Sequence, residues 1–536
     1  MPLNRSKPRK PGNSSVPASD VRVRFAPSPT GPFHIGGART ALYNWLFVRS
    51  VGGRFVLRID DTDQERSTEA YLQNCLDSLR WLGFDWDEGP EKGGEYGPYF
   101  QSQRMEAYRA CVDAMLAKGQ AYPCFCSPEE VQAGRERMQK EYSRPMYDRR
   151  CRHLSDEERA KNMAEGIPFT VRIKVPEGST RLHDQIQGDI EVQHEEIDDF
   201  VLLRQDGSPL YNLCSALDDV DMRITHVIRG NDHMTNTIKQ CLIWDAIGAK
   251  RPEFAHLPLI LGKDGKKLSK RVANTNLLDY RDLGYPAPAL VNFFTRLGWG
   301  FDAERDVFTM DEALERFQLS AVSKGGAVLD EDKLLWMCGH YIREMELSAL
   351  REQVTPFVAG AGLMSAEEVE QRAAWFEAVL ACYQERIHLY SELPEKISFF
   401  VRDDLDYEAK ALKSLKKKPE IASYLQAYLE AVPDMQLPPS GADRPEAADR
   451  ELKLPTKKED TVPSGTSFTP PAKLEQAARE VAEQLGIGFG QLVHPLRAAL
   501  SFSTQGAGMF DIVYLLGHEQ VELRLRRAIE MLKAGS

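Results

Sequence analysis

The chain has 536 residues, which is too many for a single hydrophobic core, so we expect about three to five structural units. Its 42% hydrophobic and 28% charged residues are typical of a globular protein, and no apolar run reaches the ~18 residues of a membrane span. A formal net charge of −12 excludes a protein that coats nucleic acid nonspecifically, but it allows a folded RNA partner at a basic groove. Nine cysteines are too few for a disulfide scaffold and no apolar secretion segment opens the chain, so we expect a cytoplasmic protein.

The first part of the chain alternates predicted strands and helices. Val21, Val23 and Phe25 are apolar at every second position, which predicts a strand, and a proline-rich turn then separates this strand from a helix. Such alternation predicts a parallel α/β sheet. The other elements predicted here are strand Arg54–Ile59 and helices Ala38–Arg49, Thr68–Leu82 and Gln103–Lys118.

The pattern changes near Ala121, where clustered cysteines and short strands predict an inserted α+β module. The α/β alternation resumes at strand Thr225–Arg229, and helices dominate after Leu278, the longest being predicted over Ala366–Tyr390. Residues 1–20 are basic and rich in proline, so we expect a disordered tail; the prolines disfavour the amphipathic helix of a transit peptide. Residues 432–471 contain eight prolines and are expected to form an exposed linker or insertion.

Residues 21–49 form the most informative stretch, a strand that turns through glycines into a helix. This arrangement predicts a phosphate site, because free backbone N–H groups and the positive end of the helix dipole meet there. The dinucleotide fingerprint GxGxxG is absent, and APSPTG followed by HIGG (34–37) stands in its place. A basic loop, KDGKKLSKR (263–271), lies far along the chain and on its own would be an ordinary solvated loop.

Taken in order with GPYFQSQR (97–104) and VIRGNDH (227–233), these motifs resemble the bacterial-type glutamyl-tRNA synthetases, a branch of the class I aminoacyl-tRNA synthetases. The resemblance implies a Rossmann-like catalytic domain and an all-helical anticodon-binding C-terminal half. It also implies ATP-dependent attachment of L-glutamate to tRNA(Glu) through glutamyl-adenylate, with release of pyrophosphate and AMP. Mg²⁺ would accompany ATP.

The resemblance assigns HIGG and KLSKR to one ATP site. His34 would donate to the phosphates, Lys267 and Lys270 would supply positive charge as pyrophosphate leaves, and Lys270 matches the family's catalytic lysine. The residues assigned to ATP are His34, Gly36, Gly37, Lys267, Ser269 and Lys270.

A glutamate substrate brings two carboxylates, which require arginines, and one ammonium, which requires an acid. By resemblance, Asp60 would take the ammonium, although most glutamyl enzymes have Glu there, and Asn231 replaces their usual acid. Without the resemblance, Arg24 could be a strand-surface cation, Tyr211 a core residue and the acidic run at Asp60 a helix cap. The residues assigned to glutamate are Arg24, Ser28, Asp60, Tyr211 and Arg229.

Residues 124–153 carry the spacing C-x-C-x24-C-x-H. Three thiolates and one imidazole make a full tetrahedral zinc set, while buried free cysteines are the alternative. The same spacing occurs in zinc-bearing members of the resembled family, which implies one structural Zn²⁺. The expected ligands are Cys124, Cys126, Cys151 and His153.

The helical C-terminal half resembles the family's stem-contact and anticodon-binding regions, with Arg386 aligned where many members inspect the last anticodon base. A solvent-facing helix arginine is the alternative for Arg386. We expect a monomer whose partners are tRNA(Glu), L-glutamate and ATP, with no membrane contact. The predicted organisation is 1–20 tail, 21–120 catalytic first half, 121–208 inserted acceptor-binding module, 209–275 catalytic second half, 276–345 stem-contact domain, 346–431 anticodon-binding subdomain, 432–471 linker and 472–536 second anticodon-binding subdomain.

Four alternatives stay open at this point. A non-discriminating enzyme would also charge tRNA(Gln) with glutamate. Glutaminyl specificity is favoured by Asp60 but opposed by APSP and the helical C-terminal half. A queuosine-modifying paralogue would have no anticodon-binding half, and a non-catalytic tRNA-binding paralogue would have lost His34 or Lys270.

Overall fold

The computed structural model describes residues 17–142, 145–266, 268, 276–302, 304–435, 437–438 and 470–534. The chain divides into two compact units. The first comprises residues 1–280 and 287–331, and the second comprises residues 281–286 and 332–536. Within the described ranges, no helix is both long and apolar enough to cross a membrane.

The first unit is built around a six-stranded sheet flanked by helices, and its remaining strands form a three-stranded and a two-stranded sheet. Its strands are β1 (Arg22–Phe25), β2 (Arg54–Leu57), β3 (Ala121–Cys124), β4 (Thr170–Ile173), β5 (Ser179–Asp184), β6 (Gly188–Gln193), β7 (Val201–Leu203), β8 (His226–Gly230), β9 (Glu253–Leu257), β10 (Ile260–Leu261) and β11 (Ala327–Val328). Its helices are α1 (Ile35–Val51), α2 (Glu69–Trp81), α3 (Met105–Ala117), α4 (Pro128–Tyr142), α5 (Asp156–Ala164), α6 (Tyr211–Asp221) and α7 (Met234–Ile247), followed by Ala287–Arg296 and Met310–Arg316. A short helix, Leu277–Asp282, begins in this unit, and its last two residues belong to the second unit.

The order of strands in the large sheet is β2-β1-β8-β9-β5-β6. The first five run parallel and β6 is antiparallel to β5. This confirms the predicted Rossmann-like parallel core. Strand β1 is buried at all its positions, polar ones included, because helices cover both faces of a parallel sheet.

The segment predicted as an inserted module contributes to two sheets. Strands β3, β4 and β7 form a small antiparallel sheet of their own. The β5–β6 hairpin instead extends the large sheet, where Asp184 pairs with Phe254 of β9. Strand β5 and helices α4, α5 and α6 were not among the predicted elements.

The second unit is helical. The prediction of one continuous helix over Ala366–Tyr390 is wrong, because Arg372 leaves helical geometry at φ −114°, ψ 31° and Ile387 is extended. A hydrophobic core that includes Trp375, Phe376 and Leu425 holds this unit together. Its helices are Glu331–Arg343, Leu347–Gly360, Ala366–Gln371, Ala373–Tyr383, Leu393–Ile397, Ala409–Leu415, Ile421–Ala431, Pro471–Gln484, Phe489–Ser501, Met509–Leu516 and His518–Ala534.

Candidate functional site

A cavity of about 560 Å³ opens in the first unit, beside the carboxyl ends of β1 and β8. Ligands of open α/β sheets bind at this edge, where neighbouring strands connect in opposite directions. The turn 26–34, the start of α1 and one face of α6 form its walls. Of the predicted site residues, the lining includes Arg24, Ser28, His34, Gly36, Gly37, Tyr211 and Arg229.

His34 caps the amino terminus of α1. Its Nδ1 accepts hydrogen bonds from the backbone N–H groups of Gly36, at 3.1 Å, and Gly37, at 3.4 Å. Desolvation lowers the pKa of the imidazole although Asp232 opposes this, so a neutral ring carries its proton on Nε2. His34 is exposed at the cavity, where Nε2–H can donate to an anionic ligand.

The N–H groups of Gly36 and Gly37 in HIGG differ from the free phosphate donors that the sequence predicted. They donate to His34, so they are not free for a phosphate. A Cβ on Gly37 would come within 2.6 Å of the Phe33 ring, and one on Gly36 within 3.1 Å of His34. Glycine at these positions therefore allows the close packing of the turn against α1.

Lys267, Ser269 and Lys270 lie outside the described residues. Their neighbour Leu268 lines the cavity, and its N–H lies 3.5 Å from the carbonyl oxygen of Ile260. The segment carrying KLSKR thus reaches the cavity at one described position.

Two buried arginines face the cavity. Arg24 on β1 donates from Nε to Asp219 at 3.1 Å. Arg229 on β8 donates to Gln240 at 2.8 Å, to Thr237, and from Nη1 to the Tyr211 hydroxyl at 3.4 Å. Among the described residues, no carboxylate lies within ion-pair distance of Arg229, and its hydrogen bonds from Nη1 and Nη2 go to neutral groups.

Helix α6 brings several polar groups to the cavity through its spacing. Tyr211, Ser215 and Asp219 are four residues apart and share one face. Tyr211 and Ser215 line the cavity, and Asp219 holds both Arg24 and Arg58. Asp219 was not predicted, although helical spacing from Tyr211 would have indicated it.

Asp60 is buried behind the cavity and, among the described residues, does not belong to its lining. Its carboxylate accepts from Nε of Arg58 at 2.8 Å, and its N–H donates to the carbonyl of Pro27, next to Ser28. Burial raises the pKa of Asp60 to about 6, with Asp218 and Asp219 adding to the rise and Arg58 opposing it.

A second candidate site is formed by Cys124, Cys126 and Cys151, whose sulfur atoms all lie within 4.8 Å of one another. Tetrahedral zinc with Zn–S bonds of ~2.3 Å places its sulfurs ~3.8 Å apart, so the three thiols fit this metal. The exposed His153 is not part of the group, whereas the Tyr147 hydroxyl lies 3.2 Å from Cys124 and 3.5 Å from Cys126. Tyr147 was not predicted.

Arg386 lies in the second unit, at the end of the short 3-10 helix Gln384–Arg386, and is exposed. The surrounding backbone is therefore not the long helix predicted over Ala366–Tyr390. Its exposure leaves the guanidinium available to a partner.

Two family models match most of the chain. Residues 20–336 match the family described as tRNA synthetases class I (E and Q), catalytic domain, and residues 349–448 and 462–529 match an anticodon binding domain. The chain is 42% identical to the glutamate–tRNA ligase of Moorella thermoacetica over 514 residues, which cover 96% of this chain and 99% of that protein. It is 40% identical to the ligase of Desulforudis audaxviator over 515 residues, 96% of this chain and 97% of that one.

A solved structure extends the likeness to three dimensions. A glutamate–tRNA ligase from Elizabethkingia meningosepticum, crystallised with its amino acid, matches with a TM-score of 0.80 and 31% identity. The match covers 96% of this chain and all of that one. Both sequence and fold therefore extend the relationship over nearly the whole chain, and the protein belongs to the glutamate–tRNA ligases of the class I aminoacyl-tRNA synthetases.

Proposed function

We propose that the cavity beside β1 and β8 is where this ligase activates its amino acid. The enzyme attaches L-glutamate to tRNA through glutamyl-adenylate. In activation, a glutamate carboxylate oxygen bonds to the α-phosphorus of ATP and the bond to pyrophosphate breaks. Negative charge gathers on the leaving phosphates, so the site must supply donors and cations there.

The single observation that carries this assignment is Arg229, a buried cation that faces the cavity and has no described carboxylate partner. A buried charge is costly unless it is paired, and a substrate carboxylate supplies the missing partner. Arg24 adds a second guanidinium, held by Asp219 through Nε. We assign substrate carboxylates to Arg24 and Arg229, with Ser28 and Tyr211 as neutral hydrogen-bonding groups.

We assign the substrate ammonium to Asp60. Asp60 lies three residues after the end of β2, the strand beside β1, and a pKa of about 6 keeps its carboxylate ionised at neutral pH. Because its oxygens already bind Arg58, the ammonium has to share them with that guanidinium.

We assign the phosphates of ATP to Nε2–H of His34 and to Lys267, Ser269 and Lys270, with Gly36 and Gly37 allowing close approach. Support comes from the position of His34 at the cavity and from Leu268 of the same loop in its lining. Mg²⁺ would enter with ATP and neutralise phosphate charge.

Zn²⁺ is assigned to Cys124, Cys126 and Cys151, with His153 as the fourth ligand. A neutral imidazole is a preferred zinc ligand and a neutral phenol is not, so His153 is favoured over Tyr147. A closed four-ligand site is structural and would stabilise the segment between β3 and α5.

The second unit is assigned to the anticodon of tRNA(Glu), with Arg386 as a residue that reads it. We further propose that the enzyme acts as a monomer in the cytoplasm. Charging of tRNA(Gln) with glutamate is the second candidate activity, and it is tested together with the first.

The decisive experiment is aminoacylation with radiolabelled glutamate and glutamine on purified tRNA(Glu) and tRNA(Gln). We expect glutamate on tRNA(Glu), and additional glutamate on tRNA(Gln) would identify a non-discriminating enzyme. Charging with glutamine but not glutamate would overturn the substrate assignment. In parallel, Lys270→Ala should abolish pyrophosphate exchange, measured with tRNA present, while tRNA binding persists; intact exchange would remove the loop from the ATP site.

A further inference from the structure

A chain of buried hydrogen bonds crosses three neighbouring strands and ends at Arg229. Asp184 closes β5, His256 lies on β9 and Arg229 lies on β8. These strands are adjacent in the sheet, and His256 is directly opposite Arg229 in the parallel pairing. Thr237 on α7 lies between the last two side chains. All four are almost completely buried, with relative exposures of 0 to 5%.

The links of the chain are short. Oδ2 of Asp184 lies 2.6 Å from Nδ1 of His256, and Nε2 of His256 lies 2.7 Å from Oγ1 of Thr237. Nη2 of Arg229 in turn donates to Oγ1 of Thr237. The same Nη2 donates to Gln240, which is one helical turn after Thr237 on the same face of α7.

Each link has one donor and one acceptor. Burial disfavours an ionised Asp184, but hydrogen bonds from His256 and from the amides of Gln187 and Ile186 outweigh it and lower the pKa of the carboxyl. Burial lowers the pKa of His256 despite Asp184, which favours the neutral ring. The carboxylate therefore accepts from Nδ1–H. The Thr237 hydroxyl has two acceptors within reach, Nε2 of His256 at 2.7 Å and the carbonyl oxygen of His233 at 3.3 Å, and the shorter contact takes its proton. The threonine oxygen is then left to accept from Arg229.

This direction of the hydrogen bonds fixes the orientation of the Arg229 guanidinium. With the Thr237 proton directed to His256, the lone pairs of the hydroxyl oxygen are available to Nη2 of Arg229. Nη1 then faces Tyr211 at the cavity. Nε of Arg229 is buried without a hydrogen-bond partner, so the orientation of the group depends on its Nη2 contacts with Thr237 and Gln240.

We propose that Asp184, His256 and Thr237 are positioning residues that hold the Arg229 guanidinium in the orientation that binds a carboxylate of glutamate. This inference rests on the proposed glutamate-binding role of Arg229. It predicts that breaking the chain weakens glutamate binding without comparable effects on ATP.

The chain of hydrogen bonds that ends at Arg229 begins in the β5–β6 turn. Oδ1 of Asp184 accepts from the N–H groups of Ile186, at 2.9 Å, and Gln187, at 2.7 Å. The Gln187 side chain also donates to the carbonyl oxygen of His256 at 2.9 Å. The turn therefore holds Asp184 and His256 in register, and the segment predicted as the inserted module contributes to the amino-acid site.

The test compares three full-length variants in steady-state aminoacylation of tRNA(Glu). Thr237→Val removes the hydroxyl at nearly constant volume, so KM for glutamate should rise about tenfold or more while KM for ATP changes less than about threefold. Thr237→Ser keeps the hydroxyl and should stay within about threefold of wild type. Asp184→Asn keeps Oδ1 for the turn but places an N–H opposite Nδ1 of His256. The proton of the histidine ring then moves to Nε2 and competes with Arg229 for the Thr237 oxygen. KM for glutamate should therefore rise several-fold.

Thr180→Val is the matched control. Thr180 lies on the same strand as Asp184 and makes an equally buried bond of 2.8 Å to Nε2 of His194, but it is not connected to Arg229. Its KM for glutamate should stay within about twofold of wild type. If Thr180→Val and Thr237→Val raise this KM equally, the effect is general loosening of the fold and the proposal fails.

Arg229→Lys separates the two hypotheses. If Arg229→Lys raises KM for glutamate while neither Thr237→Val nor Asp184→Asn does, the positioning chain is overturned and the role of Arg229 stands. If Arg229→Lys leaves KM unchanged, the assignment of Arg229 fails and the positioning role fails with it. Should Thr237→Val not fold, Asp184→Asn against Thr180→Val gives the same comparison.

Discussion

At the scale of single residues, His34 has an observed function and a proposed one in the same ring. Nδ1 caps α1, and this leaves Nε2–H for the proposed contact with the phosphates of ATP. The two functions can be separated by substitution, because asparagine is a good helix cap but lacks the imidazole donor.

We expect His34→Ala to lose both functions and His34→Asn to lose one. With tRNA(Glu) present, the rate of glutamate-dependent pyrophosphate exchange should be about 100-fold lower in His34→Ala than in wild type, as for other lost transition-state donors. His34→Asn should also fall at least about tenfold, yet keep a wild-type melting temperature, whereas His34→Ala should lose about 1 kcal/mol of stability. Full exchange activity in His34→Asn would contradict the proposed phosphate contact.

Asp60 gives a pH-dependent prediction. Its pKa is about 6 in the folded protein, against 3.8 as its ordinary value, so between these pH values the folded state holds a proton that the unfolded state does not. The stability contributed by Asp60 is therefore present at pH 4 and falls as the pH rises to about 6. Asparagine does not titrate, so the melting temperature of wild type minus that of Asp60→Asn should fall over this range and level off near pH 7.

Asp63→Asn is the control for that titration. Asp63 is only partly buried on the same loop, and hydrogen bonds from Arg66 lower its pKa rather than raise it. The melting temperature of wild type minus that of Asp63→Asn should not fall between pH 4 and 6. A flat or rising difference for Asp60→Asn would show that Asp60 is already ionised at pH 4.

Residue types at the site were predictable because the motifs are local, but their partners were not. The family resemblance indicated Arg24, which lies just before APSPTG, and Arg229 within VIRGNDH. The carboxylate that holds Arg24 is 195 residues away in sequence on helix α6, and the Asp184–His256 contact spans 72 residues. Such pairs depend on how distant strands and helices pack in the fold, and no local spacing specifies that packing.

At the scale of elements, the proposed zinc site would stabilise the segment between β3 and α5. We expect about one equivalent of zinc in the purified protein and less than about one-tenth in Cys126→Ser, because a closed site binds tightly only with its full ligand set. Cys75→Ser, which changes a buried cysteine of α2 outside the cluster, should keep the metal. Metal analysis of the three proteins checks this prediction.

The fourth ligand is tested by chelator competition. His153→Ala should lose zinc to a chelator at least about tenfold faster than wild type, while Tyr147→Phe should lose it at the wild-type rate. The opposite result would assign the fourth position to Tyr147, whose hydroxyl already lies beside the thiols.

Periodicity predicted elements best where one face alone is buried. Helix α2 carries Leu72, Leu76 and Leu79 on its buried face and was predicted within a few residues. The break at Arg372 was missed because the apolar pattern continues on both sides of it, and a backbone kink leaves no trace in hydrophobicity. Strand β5 was missed because its alternating burial depends on joining a distant strand, β9.

At the scale of the whole molecule, each of the two units has its own core. In the second unit, the final helix His518–Ala534 buries Arg524 to 2% exposure. Arg524 donates to the carbonyl oxygens of Leu500 at 2.7 Å and Phe399 at 2.6 Å, and to the carboxylate of Asp403 at 2.8 Å. One side chain thus ties this helix to two separate segments.

We expect Arg524→Met to destabilise the second unit selectively. The change leaves three backbone carbonyls and the half-exposed carboxylate of Asp403 without their donor, and each buried acceptor left unpaired costs about 1–3 kcal/mol. Hydrogen exchange followed by mass spectrometry should show faster exchange across residues 393–435 and 470–534 and wild-type exchange in β1, β8 and β9. Arg526→Ala on the same helix removes only an exposed pair with Glu522 and should change neither region measurably. Equally faster exchange in the large sheet would show that the two units unfold together rather than separately.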